Sequence, residues 1–138
     1  SRVKINLDIP TDLWEINCDE DQIYQVFISL LDNAAEAMEG EGQVTIEAEN
    51  LEVEAADAAL KPGKYVKIAV KDEGEGIPGK NLHKIFDPYF STRGRVSQKG
   101  LGFGLAIVYS IIKQHAGHIE VESKVNIGTA VTFYLPID

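Results

Sequence analysis

From residue 20 to residue 38 the apolar side chains Ile23, Val26, Phe27, Leu30, Leu31, Ala34 and Met38 recur at three- and four-residue spacing. That is the period of a helix with one buried face. On either side the period falls to two: Val3, Ile5, Leu7 and Ile9 before it, then Val44, Ile46, Ala48 and Val66, Ile68, Val70 after it. Strict alternation marks half-buried strands. A chain that switches between these periods has to lay helices on a sheet.

The remaining segments extend the pattern. Pro10 ends the first strand, and residues 13–17 are expected to form a short second one. Asp19 or Asp21 offers an N-cap to the long helix, and Gly40 and Gly42 stop it. An acidic, alanine-rich loop is expected over residues 54–63. From residue 72 to 100 regular structure mostly fails, apart from a short helical turn near 81–86, and loops of that length are usually functional. A second helix is expected over 102–115, with Leu105, Ile107, Val108, Ile111 and Ile112 apolar, followed by strands at 119–123 and 129–135. The order implies an α/β fold, a two-layer α/β sandwich whose mixed sheet is covered on one face by helices. At 138 residues the chain is expected to be a single domain, 1–138.

A net charge of −9, from 13 basic and 22 acidic residues, argues against a nucleic-acid partner. Residues 93–99 nevertheless carry three positive charges and no acid, which suits a small anionic ligand. The one cysteine, Cys18, excludes an internal disulfide and reads as a small buried hydrophobe. No apolar run approaches the roughly 18 residues that span a bilayer, and no secretory signal opens the chain. A cytoplasmic setting is expected, with any membrane anchor in another part of a longer protein.

Two glycine clusters carry the chemistry. Asp72-Glu73-Gly74-Glu75-Gly76 follows a strand, and Gly100-Leu101-Gly102-Phe103-Gly104-Leu105 runs into a helix. Glycines let a backbone approach a ligand closely, and the N–H groups opening a helix favour phosphate. The second cluster is not a dinucleotide fingerprint, because Leu105 fills the sixth place and no strand leads into it. The first misses a P-loop by Asn81, and Asp87-Pro88 follows where a long helix would be required.

Taken in order, these segments resemble the histidine kinase branch of the GHKL ATPase superfamily over nearly the whole chain. Asp32-Asn33-Ala34-Ala35-Glu36-Ala37 is similar to its N box, residues 72–76 to its G1 box, and Ile85-Phe86-Asp87-Pro88-Tyr89-Phe90 to its F box. Residues 100–105 are similar to its G2 box, and Gly128-Thr129 to its closing glycine motif. The resemblance implies that Asn33 coordinates Mg²⁺ through its amide oxygen, as hard cations prefer. It implies that Asp72 accepts from the adenine amine, with Gly74 and Gly76 allowing the ring's approach and Thr129 assisting. Gly100, Gly102, Gly104 and Leu105 would surround the nucleotide. Arg93, Arg95 and Lys99 would reach the phosphates from a lid pinned by Phe86, Tyr89 and Phe90. For Asp72 the plain alternative is a strand-end acid capping its own loop.

Three residues depart from the pattern. Ser29 stands one turn before Asn33, where most histidine kinases have Asn and the water-using branches have Glu, and a serine cannot act as their carboxylate base. Phe103 replaces a leucine, and Glu36 stands where some members have a phosphate-binding lysine. The expected function is therefore Mg-ATP binding and transfer of the γ-phosphoryl to a histidine on a separate dimerisation domain of the same protein, with a response regulator downstream. Another GHKL ATPase, an anti-sigma serine kinase and a non-catalytic nucleotide-binding module are the alternatives. None of His83, His115 and His118 has an acceptor's setting, and His115, ending a helix, fits an interaction with the helix dipole.

Overall fold

The computed structural model describes residues 2–55, 60–75 and 104–137. Its elements are β1 (Arg2–Asp8), α1 (Glu20–Ala37), β2 (Glu41–Val53), β3 (Gly63–Asp72), α2 (Gly104–Gln114), β4 (His118–Lys124) and β5 (Gly128–Pro136). They form a five-stranded sheet in the order β1-β2-β3-β5-β4. The β1–β2 pair is parallel and the other three pairs are antiparallel, so the sheet is mixed.

The register explains the layering. Ile46, Val70 and Val131 share one cross-strand row, and Ile68, Phe133 and Ile119 share the next. All six are buried, together with Val26, Leu30 and Ala34 of α1 and Val108, Ile111 and Ile112 of α2. Both helices therefore cover the same face. Fully burying each of these side chains larger than alanine contributes about 1.5–3 kcal/mol. The opposite face carries charge, with Lys67 directly across from Glu49 at 3.6 Å and Lys71 diagonal to Glu47 at 2.8 Å.

Asp19 is the N-cap of α1, its side chain accepting from the Gln22 N–H at 3.1 Å. At the other end the chain turns left-handed at Glu39 (φ 55°) and Gly40 (φ 84°), and the Gly40 N–H reaches the Ala35 carbonyl at 2.8 Å. The two helices are joined at their ends. His115 accepts the Asp19 backbone N–H at Nε2 (3.1 Å), while its Nδ1 bonds the Ile111 carbonyl at 2.8 Å. His115 thus ties the end of α2 to the cap of α1.

Two expectations fail. Residues 13–17 form no strand. The side chain of Asn50 holds that segment instead, accepting from the Trp14 N–H at 2.8 Å and donating to the Asp12 carbonyl at 3.0 Å. Leu13, Trp14 and Ile16 pack on the core without a ladder. On β1, Ile5 and Leu7 are 49 % and 66 % exposed, and Ile9 just beyond it is 48 % exposed. Ile5 and Leu7 stand level with the buried Val44 and Ile46, but α1 lies over β2 and β3 and leaves the edge strand uncovered.

Cys18 is half-buried rather than enclosed. Burial, and then the charges of Glu20 and Asp19, push its thiol above the ordinary value. Because the thiolate is the nucleophile, alkylation by iodoacetamide should accelerate only at a pH above that of an unstructured cysteine peptide. A rate–pH profile that coincides with the peptide's would contradict this environment.

Candidate nucleotide site

The end of α1, the turn after β3 and the β4–β5 hairpin meet at one corner of the helix-covered face. The Asp72 carboxylate ends β3, and its Oδ1 accepts from the Gly74 N–H at 2.8 Å and from the Thr129 N–H at 3.3 Å. Thr129 is the registered partner of Asp72 across the β3–β5 pair. One oxygen of Asp72 therefore does cap its own loop, and that bond also fixes the direction of the carboxylate.

The turn itself is sewn to both neighbours. Glu75 donates its N–H to the Ala37 carbonyl at 3.2 Å, and its own carbonyl accepts from the Asn126 N–H at 2.7 Å. Gly74 is buried so tightly that an added Cβ would lie 2.7 Å from the Ala37 Cβ and 2.8 Å from the Ala37 carbonyl oxygen. Asn126 adopts a φ of 66° at the hairpin tip, a conformation asparagine tolerates better than most residues. Beside it, Thr129 Oγ1 and Ser123 Oγ are 2.7 Å apart, and Ser123 also donates to the Gly128 carbonyl at 3.1 Å.

Asn33 lies one helical turn before Ala37, which brings it to the same corner. Its Nδ2 is buried and has no hydrogen-bond partner among the described residues. A buried amide without an acceptor costs about 1–3 kcal/mol. One turn earlier, Ser29 is only 5 % exposed, and its Oγ accepts from Gln25 Nε2 at 3.0 Å. No group of three or more His, Cys, Asp or Glu is placed to hold a metal among the described residues.

Of the residues singled out by sequence, Asp72, Gly74 and Thr129 are joined by hydrogen bonds here, and Asn33 lies one helical turn from Ala37, against which Gly74 packs. Gly104 opens α2, and Leu105 packs partly buried against the core. Gly76, Arg93, Arg95, Lys99, Gly100 and Gly102 lie outside the described residues, as do His83, Phe103 and the aromatic residues of the expected lid. The sequence singled out neither Gln25, Ser123 nor Asn126, and gave Ala37 no role beyond its place in the motif. Ala37 and Asn126 act through backbone groups, which no residue type announces. Gln25 and Ser123 had only their spacing to Ser29 and Thr129 as a signal.

Known proteins share this fold. The sequence profile of the family described as histidine kinase-, DNA gyrase B-, and HSP90-like ATPase matches residues 18–138. The chain is 41 % identical over 140 residues to sensor kinase CckA of Brucella abortus (strain 2308), covering 97 % of this chain and 14 % of that protein. It is 38 % identical over 127 residues to sporulation kinase C of Bacillus subtilis (strain 168), covering 92 % and 26 %. Against these and other curated relatives it spans between 14 and 32 % of their length. Among solved structures, the nucleotide-free catalytic domain of histidine kinase ThkA superposes with a TM-score of 0.75 at 30 % identity, covering 98 % of this chain and 79 % of that one. The mycobacterial sensor histidine kinase MprB, at 24 % identity and a TM-score of 0.74 over 97 % of this chain and 83 % of that one, shares the fold. No helix among the described residues is long and apolar enough to cross a membrane. The chain belongs to the histidine kinase-, DNA gyrase B- and HSP90-like ATPase family.

Proposed function

We propose that residues 1–138 act as one Mg-ATP-binding catalytic unit of a cytoplasmic sensor histidine kinase module. It transfers the γ-phosphoryl of ATP to an imidazole nitrogen on a separate dimerisation domain of the same protein, for onward delivery to a response regulator. The observation that carries this reading is Asp72. A carboxylate held by the Gly74 and Thr129 N–H groups at a strand end suits an exocyclic amine donor such as that of adenine. The kinase names of relatives at 38–41 % identity support the reaction class.

Asn33 fits the phosphate end. Its buried N–H groups call for an acceptor, which a phosphate oxygen supplies, and its amide oxygen is a ligand of the kind Mg²⁺ takes. A site with one or two protein oxygens binds this ion together with the phosphates rather than in a protein cage. Mg²⁺ would supply charge neutralisation across the β- and γ-phosphates. Arg93, Arg95 and Lys99 are the candidates for meeting the charge that develops in transfer, and the Gly100–Gly102–Gly104 cluster for admitting the phosphates to the start of α2.

Asn33→Ala separates this role from a structural one. Titration with ADP in the presence and absence of Mg²⁺ should show the Mg²⁺-dependent gain in affinity abolished. The melting point should hold or rise, because the variant removes an unmatched buried amide. A lowered melting point with normal Mg²⁺ dependence would overturn the assignment.

A further inference from the structure

Residues 25, 29 and 33 stand four apart on α1 and form one stripe on its surface, with neighbouring Cβ atoms about 5–6 Å apart. The adjacent stripe, Val26, Leu30 and Ala34, is buried against the sheet. The polar stripe therefore runs along the margin of the core, and it ends at the corner that holds Asp72. Ser29 in its middle is buried to 5 % exposure, and its Oγ accepts from the Gln25 carboxamide at 3.0 Å.

Gln25 is exposed, and fixing a long exposed side chain costs rotamer freedom. What the bond does is directional. A hydroxyl has one proton and two lone pairs. Once a lone pair is committed to Gln25, the Ser29 proton is left to donate elsewhere, and the bond restricts where it points. Asn33, with its own unmatched donor, stands on the next turn. Two donors on successive turns then face one region, and an anion is the ligand that satisfies both.

We infer that Gln25 is a positioning residue of the nucleotide site: by donating to Ser29 it commits the Ser29 O–H, alongside the Asn33 amide, to a phosphate oxygen. The inference rests on the proposed nucleotide binding and adds to it a hydrogen bond and the residue that aims it.

The test is Mg-ATP affinity, by calorimetry on the 138-residue chain, for Gln25→Ala, Gln25→Glu and Ser29→Ala and for both double variants, each with a melting curve. Gln25→Ala should weaken Mg-ATP binding about two- to tenfold, as expected for one net hydrogen bond. Gln25→Glu should weaken it at least as much while keeping the melting point. An ionised carboxylate there can only accept, so Ser29 would turn its proton toward residue 25 and away from the phosphate. In the Ser29→Ala background, Gln25→Ala should make no further difference, and Gln25→Glu should retain only the effect of its added charge.

Losses that simply add across the cycle would overturn the inference. So would a Gln25→Ala variant with a lowered melting point but full affinity. If the unsubstituted chain binds no Mg-ATP, the nucleotide reading falls and this inference with it. Binding by the unsubstituted chain with no effect at residue 25 removes only the role of Gln25.

Discussion

Asp72→Asn is expected to weaken ATP binding by about five- to a hundredfold, the range set by about 1–3 kcal/mol for a mismatched buried polar group. The structure supplies the reason. Asp72 Oδ1 already accepts two backbone N–H bonds, from Gly74 and Thr129. An asparagine that keeps its oxygen on those N–H groups must turn its NH₂ toward the proposed adenine amine, donor against donor. Flipped, it satisfies the amine but sets its NH₂ against the Gly74 and Thr129 N–H groups. A carboxylate accepts on both sides, and an amide cannot. The variant should fold, since one orientation preserves the loop. It should also narrow the preference for ATP over GTP, because guanine presents a carbonyl where adenine has its amine. Calorimetry with both nucleotides measures this. An unchanged ATP affinity in a folded Asp72→Asn protein would end the adenine assignment.

How far the sequence carried depends on which physical signal each element left. Helix α1 and strands β2 to β5 were legible because burial of one face writes a period into the residues themselves. Strand β1 wrote the same period and yet leaves Ile5 and Leu7 exposed, since alternation records which face a side chain takes and not whether a helix covers it. Residues 13–17 misled for the converse reason: Asn50, some 36 residues distant, offered the Trp14 N–H a side-chain partner in place of a ladder. At the site, Asn33 and Asp72 were readable from their motifs. The stitches that bring them together were not, because the Ala37 carbonyl, the Glu75 amide and the Asn126 N–H are groups that nearly every residue possesses. His115 shows the same limit. Its position suggested an interaction with the helix dipole, and only the Asp19 N–H at 3.1 Å reveals the tie to the other helix.

Gly128→Ala is expected to produce the largest loss of stability, and a second glycine isolates the cause. Gly128 and Gly63 have nearly equal backbone angles, φ 152° and φ 151°. Alanine at either position is strained, at a cost of about 1–3 kcal/mol. Their surroundings differ. A Cβ at Gly63 would meet only the edge of the Tyr65 ring, at 4.0 Å, whereas one at Gly128 would run into the carbonyl oxygen of Asp72 and crowd the Glu73 Cα at 3.2 Å. The obstacle is backbone, so no rotamer change relieves it, and the end of β3 must move away from β5. That movement stretches the Thr129 N–H bond to Asp72 Oδ1, already 3.3 Å long, and turns the carboxylate. Gly63→Ala should therefore lower the melting point by several degrees, at about 2–5 °C per kcal/mol for a domain of this size, with ATP affinity unchanged. Gly128→Ala should lower it by roughly twice as much or more, since overpacking adds about 1–3 kcal/mol to the strain, and should weaken ATP binding as well. Melting curves and ATP titrations on the two variants decide the matter. Equal melting shifts with intact ATP binding in both would mean that Gly128 serves only its backbone angle and that the strand-end contact does not hold Asp72 in place.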